Sequence, residues 1–215
     1  MSLVNFTLGL NTKIDAINYV LSAIGAASIS SEEEIEEDID AAAASSLIDD
    51  INQQVQTNNG KGWWFNRENF HKLTPNPTTG QVTVPKNTLS CYLKRRQGNP
   101  TPIALRGVKL FDSEESGYDM RRFVDSNGVI PCMLVVTLPY EEVPATVKQT
   151  VADFGRFWIV SNFEGDNNKM GPLKQAAEAS LISLKAEDAS QRKRNMFDNS
   201  TVANALYRAG GFNNN

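Results

Sequence analysis

The chain has 215 residues, 40% of them hydrophobic and 21% charged, with a net charge of −4 and a pI near 5.1. That length suits one domain, or one domain with a sizeable insertion, and is enough to bury a core without staples. The acidic balance argues against a dedicated nucleic-acid binder, which shows a basic stripe, and no apolar run approaches the roughly 18 residues needed to cross a bilayer. Met1 to Leu10 lacks the basic start and apolar centre of a secretory signal, so synthesis in a cytoplasm is expected.

Thr12 is placed to cap a first helix. Ile14, Ile17, Leu21 and Ile24 put one apolar face on it, and Gly25 is placed to end it. Ser30 and Ser31, with Glu33 and Glu34 three residues on, offer two capping boxes for a second helix. Glu32, Glu33, Glu34, Glu36, Glu37 and Asp38 load its first turns with the charge that a helix start favours. The stripe Ile35, Ile39, Ala43, Leu47, Ile51, Val55 predicts one long helix to about Thr57, broken by Asn58-Asn59-Gly60.

From Gly62 to Leu138 the period changes. Trp63, Trp64 and Phe65 form an aromatic cluster, and Pro75, Pro77 and Gly80 mark turns. Gln81 to Val84 alternates like a half-buried strand. Leu89–Lys94 and Ile103–Phe111 read as strands, the second with a bulge or tight bend at Arg106-Gly107. Asn127-Gly128 signals a hairpin between Phe123-Val124 and Val129-Ile130, and Cys132–Leu138 is apolar enough for a central strand. Pro144 opens a third helix with Val147, Val151, Phe154 and Trp158 on one side. A polar loop, Gly165–Gly171, leads to a fourth helix from Pro172, with Leu173, Ala176, Ala177, Leu181 and Leu184 inward. The predicted class is α+β: a bundle of about four helices with a mainly antiparallel β-domain inserted between helices 2 and 3. The domain limits are 1–60, 61–142, 143–199 and an extended tail at 200–215.

The residues supply no catalytic motif. His71 is the only histidine and reads as packed or surface-exposed. Cys91 and Cys132 could meet across a sheet but read as free, partly buried thiols, and structural zinc needs about four such ligands. Gly60-Lys61-Gly62 lacks the rest of a phosphate-binding loop. A glycosidase-type carboxylate pair needs only two acids at the right separation, which sequence does not fix; a solvated helix start explains the run at 32–40 more simply. Lys94-Arg95-Arg96 fits either phosphate contact or a protein contact at a hairpin tip, and the acidic whole favours the second. For Arg192-Lys193-Arg194 the end of a helix accounts for the charge. Trp63 and Trp64 could stack on a sugar or base, or place one ring in the core and one at an interface. No catalytic, cofactor or metal residue is expected.

The order of several short motifs resembles one family, the tail tubular protein A, or gatekeeper and head-to-tail adaptor, of short-tailed phages. Asn18, Leu21 and Ile24-Gly25 are similar to its opening Asn-x-x-Leu-x-x-Ile-Gly. Ile51-Asn52-x-x-Val55-Gln56 followed by Gly62-Trp63-Trp64-Phe65-Asn66 is the most specific element. Leu73 with Pro75, Val82-x-Val84-Pro85, Leu110-Phe111-Asp112, Val143-Pro144 and Asn195-Met196-Phe197-Asp198 follow in the family's order. Val160 to Glu164 departs from the family's basic, alanine-rich end to the third helix. The resemblance implies a non-enzymatic ring subunit, of about twelve copies, that sits in the virion neck between the portal and the tail nozzle. It also implies that double-stranded DNA passes without sequence specificity. The interface candidates are the acidic run Glu32, Glu33, Glu34, Glu36, Glu37 and Asp38; Trp63 and Trp64; Lys94, Arg95 and Arg96; and Tyr207, Arg208 and Phe212 of the tail. A virion-associated glycan or peptidoglycan hydrolase is the alternative reading.

Overall fold

The computed structural model describes residues 9–93 and 103–197, with side chains described as far as Arg192. Five α-helices and two small antiparallel sheets lie among the described residues, an α+β arrangement. The chain divides into two compact units, Met1–Leu47 with Ala145–Asn215, and Ile48–Pro144.

In the first unit, α1 (Lys13–Ile24) starts as its sequence predicts. Thr12 and Asp15 form a reciprocal capping box, and Gly25 ends the helix in the left-handed region at φ 70°. The predicted long second helix is two helices. The first is a short α2 (Glu33–Glu37), and α3 (Ile39–Thr57) follows after a break at Asp38. Asp38 is extended (φ −107°, ψ 120°) and its carboxylate accepts from the N–H groups of Asp40 and Ala41 at 2.8 and 3.0 Å. It caps α3 instead of continuing α2. The break takes Ile39 off the predicted apolar stripe and leaves it 84% exposed. Neither predicted capping box forms, because Glu32 takes the N-cap position of α2 without a side-chain cap bond. Ser30 N–H bonds the Glu34 carboxylate at 3.0 Å, and the Ser31 side chain bonds Glu33.

Helix α4 (Ala145–Phe163) packs between α1 and α5 (Asn167–Phe197). Its buried face is Val147, Thr150, Val151, Gly155, Ile159 and Val160, so the predicted stripe turns away after Val151, leaving Phe154 half-buried and Trp158 exposed. Helix α5 begins before Pro172, at Asn167, because Asp166 caps it through the Asn168 N–H at 2.9 Å. Of the predicted inward face, Ala177 and Leu184 are buried, Leu173 and Leu181 are half-buried, and Ala176 is exposed. The Thr146 hydroxyl donates to Glu187 at 2.6 Å and fixes α5 against the first turn of α4.

In the second unit, β1 (Arg67–Leu73), β5 (Ile130–Val136) and β2 (Thr88–Leu93) form a sheet in the order β1-β5-β2, so the predicted central strand is central. The predicted strand 103–111 is a hairpin, β3 (Ile103–Arg106) and β4 (Lys109–Asp112). Arg106 pairs with Lys109, leaving a two-residue turn led by Gly107 at φ 59°. Gln81–Val84 makes a single bridge through Thr83 to Lys109 and still buries Val82 and Val84 as its alternation predicts. At Asn127-Gly128 there is a turn, with Asp125 N–H donating to the Val129 carbonyl at 2.8 Å, but residues 121–123 before it are a short 3-10 helix, so no hairpin forms.

Helices α1 and α4 approach at Gly155. A Cβ there would lie 2.6 Å from Cγ2 of Val20. Gly155→Ala should destabilise the protein by about 1–3 kcal/mol through overpacking. Val20→Ala in the same chain should recover part of the loss, which a double-mutant cycle of denaturation midpoints measures.

Candidate functional site

Three short sequence motifs become three backbone-pinning clasps. In the first unit Asn18 sits on α1 and holds the following loop. Its amide donates to the Ile29 carbonyl and accepts from the Ile29 N–H, both at 2.8 Å. This pair imitates a strand ladder and fixes the approach to the acidic segment. Beside it, the Tyr19 hydroxyl donates to the buried Asp153 at 3.3 Å and accepts from Arg156 at 3.1 Å, tying α1 to α4.

The second clasp joins the end of α3 to β5. Gln56 is fully buried; its amide donates to the Leu138 carbonyl at 2.8 Å and accepts from the Leu138 N–H at 2.8 Å. Asn52 donates to the same carbonyl at 3.1 Å and accepts from Gln56 at 2.9 Å. Asn66 donates to the carbonyls of Gln56 and Val136 at 3.0 and 2.9 Å, and accepts from the Trp63 N–H at 2.7 Å. The Trp63 indole N–H reaches the Val55 carbonyl at 2.6 Å. The turn that makes this geometry runs through left-handed Asn58, Asn59, Gly60 and Gly62. Gly62 has no room for a side chain, since a Cβ would stand 2.7 Å from Val135 Cγ1.

The third clasp closes the loop after β4. Asp112 is fully buried and receives the Arg122 guanidinium as a fork, with Nε at 2.5 Å and Nη2 at 2.7 Å. Arg122 also pairs with Glu114 at 2.7 Å, and the N–H groups of Glu114 and Glu115 bond the Asp112 carboxylate. Burial pushes the Asp112 carboxyl up, but Arg122 and the two N–H groups outweigh it and hold the group below its ordinary value. Leu110-Phe111-Asp112 is visible as a motif in the sequence, whereas its partner Arg122 is not part of that motif. A buried Asp with an Arg ten residues on, flanked by turn residues, carried the signal.

The candidate interface residues divide. Glu32, Glu33, Glu36 and Glu37 are exposed, Glu34 is half-buried on Ser30, and Asp38 is occupied as the α3 cap. The hydrogen bond from Ser31 lowers the Glu33 carboxyl. Between Lys13 and Lys61 the chain carries ten acidic residues and no Lys or Arg, so no cation from that stretch offsets the exposed glutamates. Trp63 is buried in the second clasp, while Trp64 is half-buried with its ring edge on Phe65 at 5.2 Å. His71 lies on β1, 2.8 Å from the Glu68 carboxylate. Lys94, Arg95, Arg96, Tyr207, Arg208 and Phe212 lie outside the described residues. No group of three or more His, Cys, Asp or Glu is placed to hold a metal ion among the described residues. No helix among them is long and apolar enough to cross a membrane.

The family model for tail tubular protein matches residues 14–201. The chain belongs to the tail tubular protein family. It is therefore a structural component of a bacteriophage tail. Among curated proteins, no sequence matches it. The match runs from α1 through α5, and all three clasps lie within it.

Asn66→Ala should destabilise the second unit by about 3 kcal/mol, because it strands two buried carbonyls and one N–H; urea denaturation measures this. Asp112→Asn should cost about 2 kcal/mol near neutral pH, a value discounted because Arg122 is partly exposed. The folded Asp112 group lies below its ordinary value of 3.8. Its contribution is therefore complete above that value and is lost as pH falls through the lower folded one. Thermal melts of the native chain should lose stability across that acid window more steeply than melts of Asp112→Asn.

Proposed function

We propose that this chain is a ring subunit of the virion neck, a passive adaptor between the portal and the tail nozzle that helps retain the genome and conduct it. The observation that carries this reading is the tail tubular match across residues 14–201. The clasps support it physically. An adaptor works by holding shape under load, and the side-chain chemistry described above is spent on fixing backbone.

The exposed glutamates of the acidic segment are suited to one of two tasks: lining a channel wall that repels DNA and lets it slide, or docking on a basic patch of the portal. The segment 200–215 adds a docking element for the portal or a neighbouring copy. About twelve copies per ring and a nozzle ring below complete the proposal.

Electron imaging and particle mass of the purified chain, alone and mixed with the portal of the same phage, test this. A ring stacked coaxially on the portal, with a countable copy number, is expected; a chain that leaves an intact portal bare overturns the reading. Replacing Glu32, Glu33, Glu36 and Glu37 with Lys should weaken portal docking or genome retention while leaving thermal stability nearly unchanged, because the cap at Asp38 is kept. Unaltered assembly and infectivity would remove the acidic segment from the proposal.

A further inference from the structure

Cys91 and Cys132 stand on neighbouring strands of one sheet. In the register of β2 with β5, Cys91 faces Leu134 and Leu93 faces Cys132. Residues two apart on a strand point to the same face, so the two cysteines are diagonal neighbours on one side of the sheet. That side is apolar: Cys132 belongs to the buried cluster with Leu110, Met120 and Leu134, and Cys91 packs against it. Neither is in a disulfide; Cys132 is buried and Cys91 half-buried. Cys132 Sγ donates to the His71 carbonyl at 3.5 Å. A thiol has one proton, so the hydrogen bond between the two cysteines runs from Cys91 to the Cys132 sulfur.

We propose that Cys91 and Cys132 are a modification site, closing into a disulfide once the assembled tail leaves the reducing cytoplasm, and that the bond staples β2 to β5. The timing rests on the reading of the chain as a virion component; the chemistry does not. Diagonal Cα atoms in an antiparallel pair lie about 7–8 Å apart, and a disulfide spans up to about 6.8 Å. The strands must therefore close by about 1 Å. Strand β2 has β5 as its hydrogen-bonded partner, and their register is already irregular between Thr88 and Ser90, so closure displaces an edge.

The oxidant is a small disulfide of the extracellular medium. The Cys91 thiol gives up its proton and its sulfur attacks one sulfur of the small disulfide, whose S–S bond breaks and releases a thiolate. The Cys132 thiol then loses its proton and attacks Cys91 Sγ, and the mixed bond breaks with release of the second thiolate. Two protein thiols are oxidised, one small disulfide is reduced to two thiols, and the two protons pass to the released thiolates. The hydrogen bond with Cys132, then burial, push the Cys91 thiol up, so the reaction is slow. In a cytoplasm, excess small thiols hold the pair reduced.

The test uses the purified full chain incubated with oxidised glutathione, then unfolded in an alkylating agent and weighed. The expected result is a mass lower by about 2 Da, no alkylation at either cysteine, a linked peptide joining the two strands, and a higher thermal midpoint. Cys91→Ser and Cys132→Ala should each abolish the mass loss. Two alkylated thiols, a glutathione adduct that persists on Cys91, or cross-links between chains would overturn the proposal. Because the assay uses the isolated chain, its failure leaves the ring reading intact, and failure of portal binding leaves this chemistry intact.

Discussion

Gln56 is a fully buried amide that returns both its hydrogen-bonding groups to one residue, Leu138, 82 positions later. A three-stranded sheet of short strands buries little area, and unpaired backbone groups at its ends would each cost about 1–3 kcal/mol. Asn52, Gln56 and Asn66 remove that cost at the end of β5 with side chains, where a fourth strand would otherwise be needed. The arrangement works only if the chain reverses sharply after α3. Gly62 permits this, since its left-handed backbone and the 2.7 Å approach to Val135 leave no space for a Cβ. Two neighbours are built directly on this junction: Trp63 closes it from the helix side, and β1 leaves it at Arg67 already in register with Val135.

The same device recurs with different groups. Asn18 replaces a strand partner for Ile29, and Asp112 with Arg122 replaces one for the loop that follows β4. In each case a polar side chain imitates a missing backbone neighbour. Small sheets and short helices leave many ends, and side chains that close those ends remove unpaired backbone groups that would otherwise be costly. The acidic segment is the opposite case. Apart from Glu33, which Ser31 bonds, its exposed glutamates fix no other segment among the described residues, and Glu34 and Asp38 are the acids that fix the backbone at either side of α2.

Sequence reading located most elements because their signals are local. Thr12 and Gly25 bound α1 by capping chemistry alone, and the Cys132–Leu138 run marked the central strand by its unbroken apolar character. The failures came where a residue type has two local uses. Asp38 looks like one more acid in a charged helix, but its carboxylate competes for backbone N–H groups and ends one helix to start another. Pro172 looks like a helix start, but Asp166 caps α5 six residues before it. Arg106-Gly107 reads as a bulge or a tight bend and is a complete reversal, because nothing local says whether the chain after a bend pairs with the chain before it. The clasps were visible as motifs and illegible as mechanisms, since the partner of Gln56 lies 82 residues away.

The strand order has a kinetic consequence. β1 and β2 are separated in space by β5, which is the last of the three to be made. Neither early strand can satisfy its backbone on the other in the native order. The sheet of the second unit therefore cannot begin to form until the chain is complete to about residue 136, and the closing contacts span long sequence separations. Such topologies fold slowly and expose strand edges while they wait. During synthesis, α3 and the local turn through Gly62 are the parts able to form first, so the junction at Asn66 is in a position to act as a template on which β5 arrives.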